Sequence, residues 1–207
     1  MGAAQRVEEA MAACPRRDFL PRRERRHAGR DGPLPIGHGQ TNSQPRTVAA
    51  MLELLDVRAG DRVLDVGAGS AWTTALLAHL TGPTGSVLGV ERVPEIAAAG
   101  AANLEQARMP WARLTLATPG VLGAPGEGPY DRILVSAEAQ TLPRALVDQL
   151  VPGGVMVLPV KGWMHRVTRD PGFDGDGEAT GDAGVEVHGS YRFVPLIEDA
   201  PPAQPPA

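Results

Sequence analysis

The stretch RVLDVGAGSAWTTALLAHL, residues 62–80, sets the fold. Residues 63–66 are apolar apart from Asp65 and read as a buried strand, Gly67-Ala68-Gly69 as a tight turn, and residues 71–80 as a helix. A Gly-x-Gly turn directly behind a strand lets a ligand approach the backbone closely, with N–H groups of the following helix aimed at it. The dinucleotide-binding fingerprint wants a third glycine three residues after the second, and here that place holds Trp72. A turn for an adenosyl ligand therefore fits better than one for a pyrophosphate. An ordinary tight turn is the competing reading.

The same alternation continues downstream. Strands are expected over 86–90, 113–117, 131–136 and 154–160, and helices over 93–106 and 142–150. Strands alternating with helices build a largely parallel sheet covered on both faces. After Lys161 the rhythm changes. Residues 166–168 and 185–194 suit an antiparallel pair, joined by a Gly- and Asp-rich connection over 169–184 that is expected to be mobile. The end, EDAPPAQPPA, residues 198–207, reads as a disordered Pro-rich tail.

Upstream, Val7, Ala10, Met11 and Cys14 recur at helical spacing, and so do Val48, Met51, Leu52 and Leu55 over 45–56. Pro45 is tolerated in a first helical turn, where its missing N–H would have had no partner. Residues 27–44 carry Gly and Pro at short intervals and are expected as a structured loop. The organisation is then one domain over 1–197: a helix and loop over 1–44, an α/β core over 45–160, and C-terminal strands over 161–197.

Two places carry candidate chemistry. Glu91 closes the strand after the glycine turn, where a carboxylate can accept both ribose hydroxyls of an adenosine ligand; an exposed strand-end acid is the alternative. Ser43, in LPIGHGQTNSQP (residues 34–45), either hydrogen-bonds a substrate carboxylate or caps the helix at Pro45, and Thr41 has the same two readings. No Gly-x-Ser-x-Gly elbow surrounds Ser43, so it is a poor candidate for a hydrolase nucleophile. The five histidines show no metal-ligand spacing, and residues 174–178 lack the full calcium-loop pattern, so no metal is expected.

Composition narrows the class. At 207 residues and 43% hydrophobic, the chain fits one globular domain. No apolar run approaches the ~18 residues that span a bilayer, and the first residues lack a signal-peptide pattern. With the single Cys14 unable to form an internal disulfide, a cytoplasmic protein with no membrane partner is expected. A net charge of -4 argues against a dedicated nucleic-acid binder. The basic run Arg16, Arg17, Arg22, Arg23, Arg25, Arg26 and Arg30 reads as a solvated helix face or loop rather than a polyanion patch. A monomer is expected.

Several ordered segments resemble the protein-L-isoaspartate O-methyltransferase family of class I S-adenosylmethionine-dependent methyltransferases. They are PRRDFLP (15–21), LPIGHGQTNSQP (34–45), VLDVGAGSAW (63–72), VERVPEI (90–96), GPYDRILVSAEAQTLPRALVDQLVPGGVMVLPV (128–160) and YRFVPL (191–196). The resemblance implies a Rossmann-like, doubly wound α/β fold. Its mostly parallel sheet would carry helices on both faces, an N-terminal helical segment and antiparallel C-terminal strands. It also implies S-adenosyl-L-methionine as cofactor and methyl transfer to the carboxylate of L-isoaspartyl residues in damaged proteins or peptides. Carried over position by position, it makes Ser43 the catalytic residue. Gln40, Thr41, Asp65, Gly67, Gly69, Ser70, Glu91 and Arg92 become cofactor-binding residues.

The chain departs from the family pattern at four places. Asn42 stands where the family usually has Ile, Ala71 where it has Gly, and Gly29 where a Tyr is expected. Thr118-Pro119-Gly120 replaces Gly-Asp-Gly, so Pro119 brings no acceptor side chain to an adenine amino group. These departures keep two other readings open. One is a carboxyl methyltransferase that modifies an Asp of one dedicated partner peptide; the other is a scaffold that kept the fold without catalysis.

Overall fold

The computed structural model describes residues 2–170 and 183–197. Helix α1 (Ala3–Ala13) is followed by two 3-10 turns, Arg16–Phe19 and Arg25–His27, and by a hairpin of β1 (Leu34–Gly37) and β2 (Gln40–Asn42). Helix α2 (Pro45–Leu55) leads into β3 (Arg62–Val66), α3 (Trp72–Thr81), β4 (Ser86–Glu91), α4 (Pro94–Gln106) and β5 (Ala112–Leu116). Then come β6 (Tyr130–Val135), α5 (Arg144–Val147), β7 (Leu150–Val160), β8 (Trp163–Arg169) and β9 (Ala183–Ser190).

The main sheet has the order β5-β4-β3-β6-β7-β8-β9. Neighbours from β5 to β7 are parallel, while β7–β8 and β8–β9 are antiparallel. Chain connections leave β3 toward β4 on one side and return to β6 on the other. Ligands in such sheets bind where the strand order reverses, outside the carboxyl ends of the strands. Here that crevice lies beyond β3, β4 and β6.

Side chains alternate across a strand, which explains the two cores. Val63 and Asp65 face α3; Leu64 and Val66 face the other way. Helices α1 to α4 fill the first core with Val63, Leu134 and Val157 of the sheet. Leu64, Ile133, Met156 and Leu158 form the second, closed by α5 and by Ala117, Leu122, Ala124 and Leu142 from the loops. Helix α3 lies between α1 and the sheet, so every residue of it except His79 is buried.

Besides β7 and β8, which begin earlier than the expected 154–160 and 166–168, three elements differ from the sequence expectation. The helix expected over 142–150 is only Arg144–Val147, because Leu150 already pairs with Tyr130 and starts β7. The Gln149 side chain ends that helix by donating to Leu122 O and Ala145 O while accepting from Ala124 N. The loop expected over 27–44 contains the β1–β2 hairpin, whose two turn residues His38 and Gly39 both have positive φ. Finally, the strand expected over 185–194 ends at Ser190. Beyond it the chain leaves the sheet edge: Tyr191 N donates to Gly162 O, Glu138 N donates to Val194 O, and Leu196 N donates to Glu138 O. Residues 171–182, most of the connection expected to be mobile and the run 174–178, lie outside the described residues, as does the tail 198–207.

Candidate active site

The glycine turn folds back on the end of β4. Gly67 N and Ala68 N both donate to Val90 O, at 2.9 and 3.1 Å. Gly67 and Gly69 take φ values of +75° and +55°, a region that glycine enters without steric cost. Ala71 also sits at φ +69° and is fully buried, which costs a side-chain-bearing residue about 1–2 kcal/mol. A side chain at Gly100 of α4 would meet Gly69 O at 2.7 Å, so the turn is pinned against that helix.

Glu91 is 6% exposed, with both oxygens held by backbone N–H groups: Oε2 accepts from Gly69 and Oε1 from Val93, at 3.0 and 2.9 Å. Each oxygen keeps a further lone pair for a hydroxyl in the crevice. Asp65 behaves differently, and its expected cofactor role is corrected. It is fully buried, does not line the cleft, and its Oδ2 accepts from Thr73 and Thr74 of α3, both at 2.7 Å. Oδ1 has no partner. Burial pushes the Asp65 carboxyl up to about 6 against those two hydrogen bonds, with the Glu91 charge adding to the rise. The strand alternation that points Asp65 at α3 rather than at the cleft is the physical reason.

The opposite wall is the hairpin and the residues that follow it, and Arg16 holds it in place. Its Nε donates to Asn42 Oδ1 at 2.6 Å, Nη1 to Arg30 O, and Nη2 to Gly32 O, Asn42 O and Ser43 O. The guanidinium also lies 5.5 Å from the Trp72 ring centroid, while the Trp72 indole N–H donates to Cys14 O. Arg16 is only 6% exposed, which overturns its reading as part of a solvated face; Arg17, Arg22, Arg23, Arg26 and Arg30 are exposed as expected. Burial lowers the Arg16 pKa, opposed by the Asp31 charge.

Ser43 is half-buried and lines the cleft. The N-cap of α2 is Gln44, with no side-chain cap bond, so the capping role weighed for Ser43 and Thr41 is not taken up. Among the described residues no protein group bonds the Ser43 hydroxyl. The hairpin leans over the glycine turn: a side chain at Gly69 would come 3.3 Å from Ile36 Cδ1. Its tip reaches α4, with His38 Nε2 3.9 Å from Glu95 Oε2.

Between the walls lies a cleft of about 370 Å³. Gln40, Thr41, Ser43, Gly67, Gly69, Ser70, Glu91 and Arg92 all line it, so every expected site residue but Asp65 is brought together. Sequence reasoning missed Asn42, Ser136 after β6, and the returning segment from Val194 to Ile197. The order strand–Ser136 parallels the glycine turn at the neighbouring strand end and was a usable signal; the return of the C-terminal segment was not visible locally. Pro119 also lines the cleft, and its side chain offers no acceptor. Gly120, not Thr118, carries the positive φ of that loop. A buried strand-end carboxylate, a side-chain-free turn and the Ser70 hydroxyl fit a nucleoside-bearing cofactor with a polar tail.

Comparison with known proteins agrees with this geometry. The profile of the Protein-L-isoaspartate(D-aspartate) O-methyltransferase family matches residues 1–200. A protein-L-isoaspartate O-methyltransferase of Methanopyrus kandleri is 44% identical over 200 residues, covering 94% of this chain and 84% of its own. That of Methanothrix thermoacetophila is 48% identical over 197 residues, covering 94% and 89%. The fold matches the crystal structure of a protein of this class from Plasmodium falciparum, described in complex with S-adenosyl-L-homocysteine. The TM-score is 0.77 at 23% identity, over 94% of this chain and 91% of that one. A second solved protein-L-isoaspartate O-methyltransferase gives 0.82 at 21% identity, over 96% and 63%. On this match along nearly its whole length, the chain belongs to the protein-L-isoaspartate(D-aspartate) O-methyltransferase family.

Proposed function

We propose that this protein transfers a methyl group from S-adenosyl-L-methionine to the free carboxylate of L-isoaspartyl residues in proteins or peptides, a repair reaction. The observation that carries the reading is the Ser43 hydroxyl, which lines the same cleft as Gly67–Ser70 and has no hydrogen-bond partner among the described residues. A carboxylate with pKa near ~4 is already a nucleophile at neutral pH and needs no general base. When bound, the cofactor supplies an electrophilic methyl group on a sulfonium whose sulfur keeps the bonding electrons.

The chain's own residues then have a short task. Ser43 donates to one carboxylate oxygen and aims the other at the methyl carbon; Arg16, by holding the Ser43 carbonyl, fixes where that hydroxyl stands. Glu91 and the glycine turn would hold the adenosine end, with Gln40, Thr41 and Arg92 also lining the cleft and Ser70 left for the polar tail. The hairpin and the 194–197 segment keep water from the reacting atoms.

The test uses an isoaspartyl peptide beside its aspartyl twin. Methyl transfer to the first and not to the second is expected; transfer to neither, or to both alike, overturns the reading. Ser43→Ala is expected to lower turnover more than tenfold while shifting unfolding free energy by less than about 0.5 kcal/mol, since Ser43 is not a cap. Loss of stability with normal turnover would return Ser43 to a structural role.

A further inference from the structure

We propose that Asn42 is a positioning residue: it holds the Ser70 hydroxyl as a hydrogen-bond donor into the cleft and so selects ligands that place a carboxylate there. The proposal rests on the cofactor reading above and deepens it. It begins with a fixed orientation. A guanidinium has donors only, so the Asn42 atom 2.6 Å from Arg16 Nε must be the amide oxygen. The other end, Nδ2, then faces Ser70 Oγ at 3.2 Å. An amide nitrogen only donates, so Ser70 Oγ accepts, and its single proton must point elsewhere.

Among the described residues no protein acceptor takes that proton. Ser70 is 6% exposed and lines the cleft, so the unused donor is directed at whatever the cleft holds. The backbone of the residue is held as well, because Asn103 Nδ2 donates to Ser70 O at 3.1 Å. Ser70 also precedes α3, whose first N–H groups add positive potential at the same point. An anionic group is the matching partner, and the α-carboxylate at the amino-acid end of the cofactor is the anion that the adenosine-binding end at Glu91 leaves over.

The deciding substitution is Asn42→Asp. It keeps an oxygen toward Arg16 and nearly the same shape, yet replaces the amide donor by an acceptor. The Ser70 proton then turns toward the new carboxylate and away from the cleft. Calorimetry would compare S-adenosylhomocysteine with 5′-methylthioadenosine, which keeps the adenosine and the thioether but lacks the carboxylate. Asn42→Asp is expected to weaken S-adenosylhomocysteine about tenfold and 5′-methylthioadenosine less than about twofold. Ser70→Ala removes the same donor without adding charge and should show the same selectivity, while Asn42→Leu, which removes the amide without adding charge, should weaken S-adenosylhomocysteine selectively too and decides the role of Asn42 if Asn42→Asp fails to fold. Equal losses on both ligands, or no loss on S-adenosylhomocysteine, overturn the role of Asn42 alone. Wild-type protein that binds neither ligand at millimolar concentration overturns the cofactor reading and this inference with it.

Discussion

The two walls of the cleft are built by different means. On the sheet side, the glycine turn and Glu91 are held by main-chain groups: Val90 O takes two N–H groups of the turn, and Glu91 takes the N–H groups of Gly69 and Val93. On the hairpin side, short strands and an irregular return segment depend on one buried guanidinium with five hydrogen bonds and on three main-chain bonds to Gly162 and Glu138. A wall made of ladder ends inherits the rigidity of the sheet. A wall hung on one side chain is as sound as that side chain, and so the hairpin side should be far more sensitive to single substitutions than the sheet side.

Arg16→Met is the strongest attempt to break that contrast. It strips donors from four carbonyls and from Asn42 Oδ1, and it is expected to cost about 2–4 kcal/mol of stability. Turnover on an isoaspartyl peptide should fall about a hundredfold or more, beyond any loss in S-adenosylhomocysteine affinity. Urea unfolding and calorimetry on one preparation would measure both, and wild-type stability would show that the wall is carried by something else.

Asp65 sharpens the contrast from beneath the sheet wall. Folding raises its carboxyl from 3.8 to about 6, chiefly through burial, so the folded chain holds the proton more tightly than the unfolded chain does. The associated stability is full below pH about 4 and is lost as pH rises through about 6, a loss of about 3 kcal/mol at neutral pH. Asp65→Asn should flatten unfolding free energy across that window. An unchanged pH profile would mean that Asp65 ionises in the folded protein as readily as in the unfolded one.

Glu91→Gln tests the sheet wall in its own function. The neutral amide gives up charge-assisted bonds, and S-adenosylhomocysteine affinity should fall about tenfold while peptide KM at saturating cofactor holds steady. A raised peptide KM would show that the walls are coupled more tightly than their construction suggests. The smallest effect is expected at Pro119. Pro119→Asp should restore an acceptor toward adenine and raise affinity roughly three- to tenfold. It needs no companion change at Thr118, which does not share the positive φ of Gly120. Unchanged affinity would mean that this loop meets adenine through its backbone.

The same contrast explains what the sequence made legible. Strands β3, β4 and β6 and helices α3 and α4 appear within a residue or so of their expected bounds, because period-2 and period-3.6 patterns are local properties of regular backbone. The place of Glu91 at the cleft is legible because a strand end fixes where its last side chain stands. The hairpin escaped because His38-Gly39 is not one of the turn dipeptides that announce a two-residue hairpin, though both residues adopt the φ that such a turn needs. Arg16 resembles its exposed arginine neighbours in the sequence, since its burial is set by residues far along the chain, from Arg30 to Trp72. Asp65 was assigned to the cofactor by motif, whereas strand alternation alone would have turned it toward α3. The end of β9 and the return past Glu138 depend on long-range contacts that leave no periodic trace.

Trp72 stands at the seam where these walls meet, with its ring beneath the Arg16 guanidinium and its N–H on Cys14 O. That position makes it a chromophore as well as a packing element. An indole that is 2% exposed emits to the blue of one in water, whereas Trp163, 53% exposed, emits as a solvated ring and Trp111 is intermediate. A cation over the ring shifts the emission as its distance changes. The blue edge of the protein's fluorescence is therefore expected to come largely from Trp72, and a shift of that edge in Arg16→Met would report the loss of the guanidinium from the ring.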